Sequence, residues 1–113
     1  MKTVRDFASD VLESEERLDV IVLNAGVALT KRYMTEDNLE LHMASNHFGH
    51  FLLANLMAPL IVKSAAGQSE PGRIVAVSSV GHWWGKIELD NLNSERYDFC
   101  FKWLLFKKRT RLI

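Results

Sequence analysis

Two hydroxyls, Ser78 and Ser79, follow four consecutive apolar residues, Ile74 to Val77. A run that continuous suits a strand buried on both faces, as in a parallel sheet covered by helices. In open α/β sheets the carboxyl end of a strand is where ligands and chemistry sit, so a rigid strand delivers these serines to a candidate site. Ser79 with His82 and an aspartate would be the raw material of a hydrolase triad, but no Gly-x-Ser-x-Gly elbow surrounds the serine, and that reading is set aside. His42, His47 and His50 lack the four-residue spacing with an intervening acid that a zinc helix needs, so no metal site is expected. Trp83 and Trp84 suit a substrate pocket or plain packing on a loop, and the residue types do not decide between them.

The elements that must position these groups follow from periodicity. Over residues 2–16, Val4, Phe7, Ala8, Val11 and Leu12 recur at helical spacing and predict an amphipathic surface helix. Arg17-Leu18-Asp19 ends it. Val20 to Leu23 is a second continuous apolar run, read as a second doubly buried strand that Asn24-Ala25-Gly26 closes, with a loop to Met34. Thr35 is a good N-cap, and Glu36 and Asp37 favour the first turn of a helix reaching about Ala66. A straight helix of that length would measure roughly 48 Å. A break is therefore expected near Asn46 to Gly49, with a kink at Pro59. Residues 67–72 form a loop before the strand that carries the serines. Strand, long helix, strand is a βαβ unit, which predicts a parallel pair and a right-handed crossover.

The 113 residues leave room for one domain at most, and 48% hydrophobic with 25% charged residues is ordinary for a globular chain. Net charge is zero but uneven. Residues 1–96 carry 9 Lys/Arg and 13 Asp/Glu, whereas residues 97–113 carry 5 Lys/Arg and the single acid Asp98. One cysteine, Cys100, excludes an internal disulfide, and no Asn-x-Ser/Thr site occurs, which makes an intracellular, cytoplasmic setting the expectation. The charged start, Met1 to Asp6, does not resemble a signal peptide. No apolar run approaches the ~18–20 residues that span a bilayer. No nucleic-acid partner is expected; contact of the basic aromatic tail with an anionic membrane is a lesser reading of residues 98–113.

Together these pieces resemble the short-chain dehydrogenase/reductase family, and most of all its retinol-dehydrogenase-like branch. Asn24-Ala25-Gly26 resembles the family's Asn-Asn-Ala-Gly turn, with Leu23 in place of the first asparagine. Asn46-His47-Phe48-Gly49-His50-Phe51-Leu52-Leu53 is similar to the middle of its long fourth helix. Gly72 to Ser79 is similar to the strand carrying the catalytic serine, and His82 to Ile87 with Asp90 to Glu95 resembles the segment after it. The resemblance covers residues 1–97 as a partial dehydrogenase domain and stops at the divergent tail, 98–113. It implies an α/β fold: a truncated Rossmann-type parallel sheet, a β-α-β core with flanking helices. It also implies NAD or NADP as cofactor and alcohol–carbonyl interconversion on a lipid-like or retinoid substrate. Ser79 would hydrogen-bond the substrate oxygen and stabilise charge developing there. Asn46 would hold a water in a proton relay, and Asn24, Ala25 and Gly26 would line the cofactor side.

Two family motifs are absent from these 113 residues. The glycines at 26, 49, 67, 72, 81 and 85 make no glycine-rich turn for a pyrophosphate. No Tyr-x-x-x-Lys occurs either: four residues beyond Tyr33 and Tyr97 stand Asp37 and Phe101. The expectation is an oxidoreductase fragment that is not catalytic alone, of low stability or prone to associate. The alternative is a non-catalytic interaction protein that forms a homo- or hetero-dimer with a full-length relative through helix 35–66.

Overall fold

The computed structural model describes residues 1–83 and 87–96. Helix α1 runs Lys2–Ser14 and turns Val4, Ala8 and Val11 to one side; Ala8 is buried. Strand β1, Val20–Leu23, pairs in parallel with β2, Arg73–Ala76, in the register Ile21 with Ile74 and Leu23 with Ala76. Between them lie α2 (Leu41–Met43), a π-helical segment (Ala44–Phe48) and α3 (Gly49–Ala65), which follow one another without a gap. The predicted α/β class and parallel β-α-β unit are what the chain forms, with each strand within a residue of its expected place.

One core holds this unit together. Ala8 of α1 and Met57 and Ile61 of α3 are buried against each other, and Val11, Leu18, Ile21, Leu53, Leu56 and Ile74 pack around them. Both helices therefore cover the face of the sheet that carries Ile21 and Ile74. The Ser64 hydroxyl ties the helix to the chain entering β1: it donates to the Leu60 carbonyl at 2.7 Å and accepts from the Leu18 N–H at 2.8 Å. At the exit of α3, Ala66 (φ −62°, ψ 122°) and Gly67 (φ 76°) form the centre of a type II turn, closed by the Gln68 N–H on the Ala65 carbonyl at 3.1 Å.

Three expectations are corrected. The strands are not buried on both faces. Alternate residues point away from the helices, and Val22 and its partner Val75 are 58% and 42% exposed. Covering both faces needs a second helical layer, and none packs there among the described residues.

The long helix begins at Leu41 and not after Thr35. Residues 33–41 form a tight turn in which Asn38 N–H donates to the Thr35 carbonyl at 3.0 Å and Leu41 N–H to the Tyr33 carbonyl at 2.9 Å. Asn38 takes φ 57°, a left-handed conformation that asparagine tolerates and a helix does not. Glu40, not Thr35, caps the helix, its carboxylate accepting from Met43 N–H at 3.0 Å.

The third concerns length. Helix 41–65 is long and apolar enough, by length and composition alone, to cross a bilayer. His42, Ser45, Asn46 and His47 interrupt the apolar run without adding the charges that would disqualify it. In this fold it is the crossover between two paired strands.

The expected break is the π-helical segment, centred on Asn46, where Gly49 N–H donates to the Ala44 carbonyl five residues back. Pro59 lies inside α3 as expected. The expected boundary between residues 97 and 98, and the tail beyond it, lie outside the described residues, as does Trp84.

Candidate functional site

Parallel pairing brings the sequence-predicted groups to one edge. Leu23 and Ala76 are the last registered pair, and Val77 N–H donates to the Leu23 carbonyl at 3.1 Å. Asn24-Ala25-Gly26 and Ser78-Ser79 therefore leave the sheet side by side at its carboxyl end. Asn24, Ala25 and Gly26 are all exposed there.

Asn46 reaches this edge from the crossover helix. Its Oδ1 accepts from the Val27 N–H at 2.8 Å, and its Nδ2 donates to the Val27 carbonyl at 2.9 Å. A carboxamide that satisfies both halves of one residue's backbone behaves like an added strand segment, and it fixes the loop after β1 against the π-helical turn. The structure thus joins Asn46 to Val27, the residue that follows Asn24–Gly26 in the loop. It brings Ser79 to the same end of the sheet without a hydrogen bond between Ser79 and Asn46.

Ser79 sits at the start of a 3-10 turn, Val80–Trp83. Its Oγ accepts from Gly81 N–H at 3.3 Å, a weak bond. No acceptor takes its O–H among the described residues, so the hydroxyl can donate to an incoming oxygen. His82 does not act as its base, since Nδ1 donates to the Ser79 backbone carbonyl at 2.6 Å and not to the hydroxyl. One residue earlier, Ser78 Oγ is enclosed with no hydrogen-bond partner among the described residues. Trp83 is 72% exposed and makes an edge contact with the His82 ring.

Sequence reasoning missed Glu40 and gave His42 no role. Both are fully buried, at 0% and 1% exposure, with His42 Nδ1 2.7 Å from Glu40 Oε1. His42 Nε2 accepts from the Leu29 N–H at 2.8 Å. Read as part of a helix beginning at Thr35, Glu40 looks like a solvated surface acid; only the turn at 35–40 folds it inward. Asn93 secures that turn from the far end of the chain, its Oδ1 accepting from Glu40 N–H at 3.0 Å and its Nδ2 donating to the Asn38 carbonyl at 3.0 Å. Beside it a shallow cleft of about 340 Å³ is lined by Leu39, Phe48, Leu89, Leu92 and neighbouring polar residues, none of them among the predicted site residues. Asp90 on its rim accepts from Arg96 at 2.7 Å, and that hydrogen bond, then the guanidinium charge, holds its carboxyl below the usual range.

The described residues hold only part of a dinucleotide site. The exposed Asn24–Gly26 loop offers one wall, but none of the described helices opens on a glycine-rich turn. Among the described residues no helix amino terminus is built to take a pyrophosphate.

The family model described as short chain dehydrogenase matches residues 1–87. The chain is 42% identical to human retinol dehydrogenase 13 over 93 residues, 82% of this chain and 27% of that protein. To human retinol dehydrogenase 14 it is 42% identical over 104 residues, 89% of this chain and 30% of that protein. The crystal structure of an uncharacterized protein from Mycobacterium Paratuberculosis superposes with a TM-score of 0.69 at 35% identity, covering 91% of this chain and 33% of that one. The chain therefore spans under a third of the length of the curated relatives it matches. With the family match extending over most of its residues and a parallel β-α-β unit beneath it, the chain belongs to the short-chain dehydrogenase family, in its retinol-dehydrogenase-like branch.

Proposed function

We propose that these residues form the substrate-side half of an NAD(P)-dependent alcohol–carbonyl oxidoreductase site, and that the 113 residues do not catalyse alone. In this reading Ser79 donates its hydroxyl hydrogen to the substrate oxygen. Asn46 holds the loop that faces the cofactor and a water in the proton relay. The observation that carries the proposal is the convergence of Ser79 and the Asn24–Gly26 loop at the carboxyl edge of one parallel pair, with Asn46 bonded to that loop. π-Helical turns of this kind concentrate at functional sites. The substrate class suggested by the relatives is a retinoid or lipid-like alcohol or aldehyde. The nicotinamide would supply the hydride; what the present residues contribute is orientation of the oxygen and of the loop.

The test is an unfolding curve in urea with and without NADPH or NADH, followed by an aldehyde-reduction assay. Indifference to both nucleotides and no turnover are expected for the chain alone. A cofactor-dependent shift, or turnover lost in Ser79→Ala, would show that the chain is an autonomous enzyme and overturn the second half of the proposal. If Ser79→Ala leaves turnover intact, the serine's role falls.

A second reading is favoured by one observation: Phe51 and Val62 on α3 are 64% and 71% exposed. A non-catalytic dimer with a full-length relative through the crossover helix would cover them. Co-purification with such a relative, abolished by Phe51→Glu and Val62→Glu together, supports it; retention of the complex in that variant sinks it.

A further inference from the structure

We propose that His42 is a positioning residue for the loop after β1, that Glu40 locks it as a hydrogen-bond acceptor, and that His42 and Asn46 clamp alternate residues of that loop. The inference deepens the reading above, since the clamped loop is the one that begins with Asn24–Gly26.

The geometry of the two partners matches. His42 and Asn46 lie four residues apart on the crossover helix, and their partners Leu29 and Val27 lie two apart on the loop. From residue 42 to 46 on the helix the partners run from 29 back to 27 on the loop, so the two segments run in opposite senses and each side chain reaches a backbone group of the loop. Asn46 grips Val27 by both N–H and carbonyl, and His42 grips Leu29 by its N–H.

The chemistry of the imidazole then fixes Glu40's part. A neutral ring carries one N–H, and an N–H cannot face another N–H. Because Nε2 accepts from Leu29, the ring proton must be on Nδ1, which donates to Glu40 Oε1 at 2.7 Å. Glu40 Oε2 is occupied by Met43 N–H at 3.0 Å, so the carboxylate accepts with both oxygens at the amino end of the helix, where the helix dipole favours negative charge. A chain of hydrogen bonds results, helix amide to Glu40, Glu40 to His42, His42 to Leu29, buried up to the imidazole. If the ring flipped its proton to Nε2, or took a second one, the Leu29 amide would lose this acceptor.

The test uses the full 113-residue chain and two readouts, neither involving nucleotide, so the clamp stands or falls independently of the proposed chemistry. In the ¹⁵N spectrum of the wild-type imidazole, Nδ1 protonated and Nε2 bare is expected for His42; protonation at Nε2, or at both nitrogens, overturns the proposal. In amide hydrogen exchange, His42→Leu should raise the Leu29 rate about tenfold or more, while Val27 stays protected by Asn46. His42→Gln, whose side-chain oxygen can accept from Leu29, should restore protection to within about threefold of wild type. Unchanged Leu29 exchange in His42→Leu, or equal loss in the Gln variant, overturns it. Should His42→Leu fail to fold, the wild-type tautomer and the Gln variant still decide.

Discussion

Replacing Gly72 with alanine tests how tightly β2 is seated on the crossover helix. A Cβ at residue 72 would stand 2.3 Å from Ile61 Cγ2 and 3.2 Å from the Ile61 carbonyl oxygen. Non-bonded carbons settle at about 3.5–4.0 Å, so the overlap exceeds an ångström. Ile61 is buried in the core cluster, and a β-branched side chain in a helix has essentially one comfortable χ1 rotamer. Relief therefore requires a strained rotamer or a displaced strand, at a cost of about 1–3 kcal/mol. Alanine also stiffens the unfolded chain, which returns about 0.4–1 kcal/mol. The net loss expected is about 1–2 kcal/mol, and with an m-value of about 1–2 kcal/mol/M the urea midpoint should fall by about 1 M. Ile61→Leu moves the branch off Cβ and deletes the clashing methyl. The double variant should then be more stable than the sum of the two single losses predicts, by about 1 kcal/mol. A wild-type midpoint for Gly72→Ala, or strictly additive losses, would refute this account of the strand–helix contact.

Other perturbations reach other parts of the unit. Asn46→Ala strips the partners from both polar groups of Val27 and should cost about 2–3 kcal/mol in equilibrium unfolding; a cost below 0.5 would mean water replaces the carboxamide freely. Gly67→Ala forces a side chain into φ 76° and should cost about 1 kcal/mol by the same assay, with Gly67→Asn recovering part of it. Asp90 has its pKa lowered by Arg96 in the folded chain, so the unfolded chain binds the proton first. Its stabilising contribution should be present above the ordinary aspartate value of about 3.9 and fade as pH falls through the lower folded value. The midpoint difference between wild type and Asp90→Asn should therefore shrink on acidification; a difference that grows would reverse the assignment. Because both partners are exposed, the effect is small at any pH.

Much of this was legible before any coordinates. Apolar runs at 20–23 and 74–77 located both strands, and the length of the segment between them implied a crossover and thus parallel pairing. Asn46 was legible as a helix break because its neighbourhood is polar and glycine-bearing. What it bonds to was not: Val27 is nineteen residues away, and no periodicity encodes that meeting. The burial of Glu40 was hidden for a related reason. Thr35-Glu36-Asp37 carries good helix-start chemistry, yet Asn38 in a left-handed conformation and the staple from Asn93 turn the same residues into a hairpin. Here a contact with the distant chain overrode local propensity. The half-bare sheet was misread because a continuous apolar run reports what a strand could bury, and the covering layer is a property of other residues.

The parallel register also sets a clock. Val20 can pair only with Arg73, and every later pair spans the same crossover, so no local hairpin seeds the sheet. At a synthesis rate of about 5–20 residues per second, β1 waits about 3–10 s for its partner strand to be made. Throughout that interval its edge and the valines at 20 and 22 are open to whatever other strand is near. Helix α1 and the crossover helix can meet first, since Ala8, Met57 and Ile61 need no sheet to touch. Ile61 is made only 12 residues before Arg73, about 1–2 s at that rate, so collapse of the helices can shelter the newborn chain only in the last part of the wait.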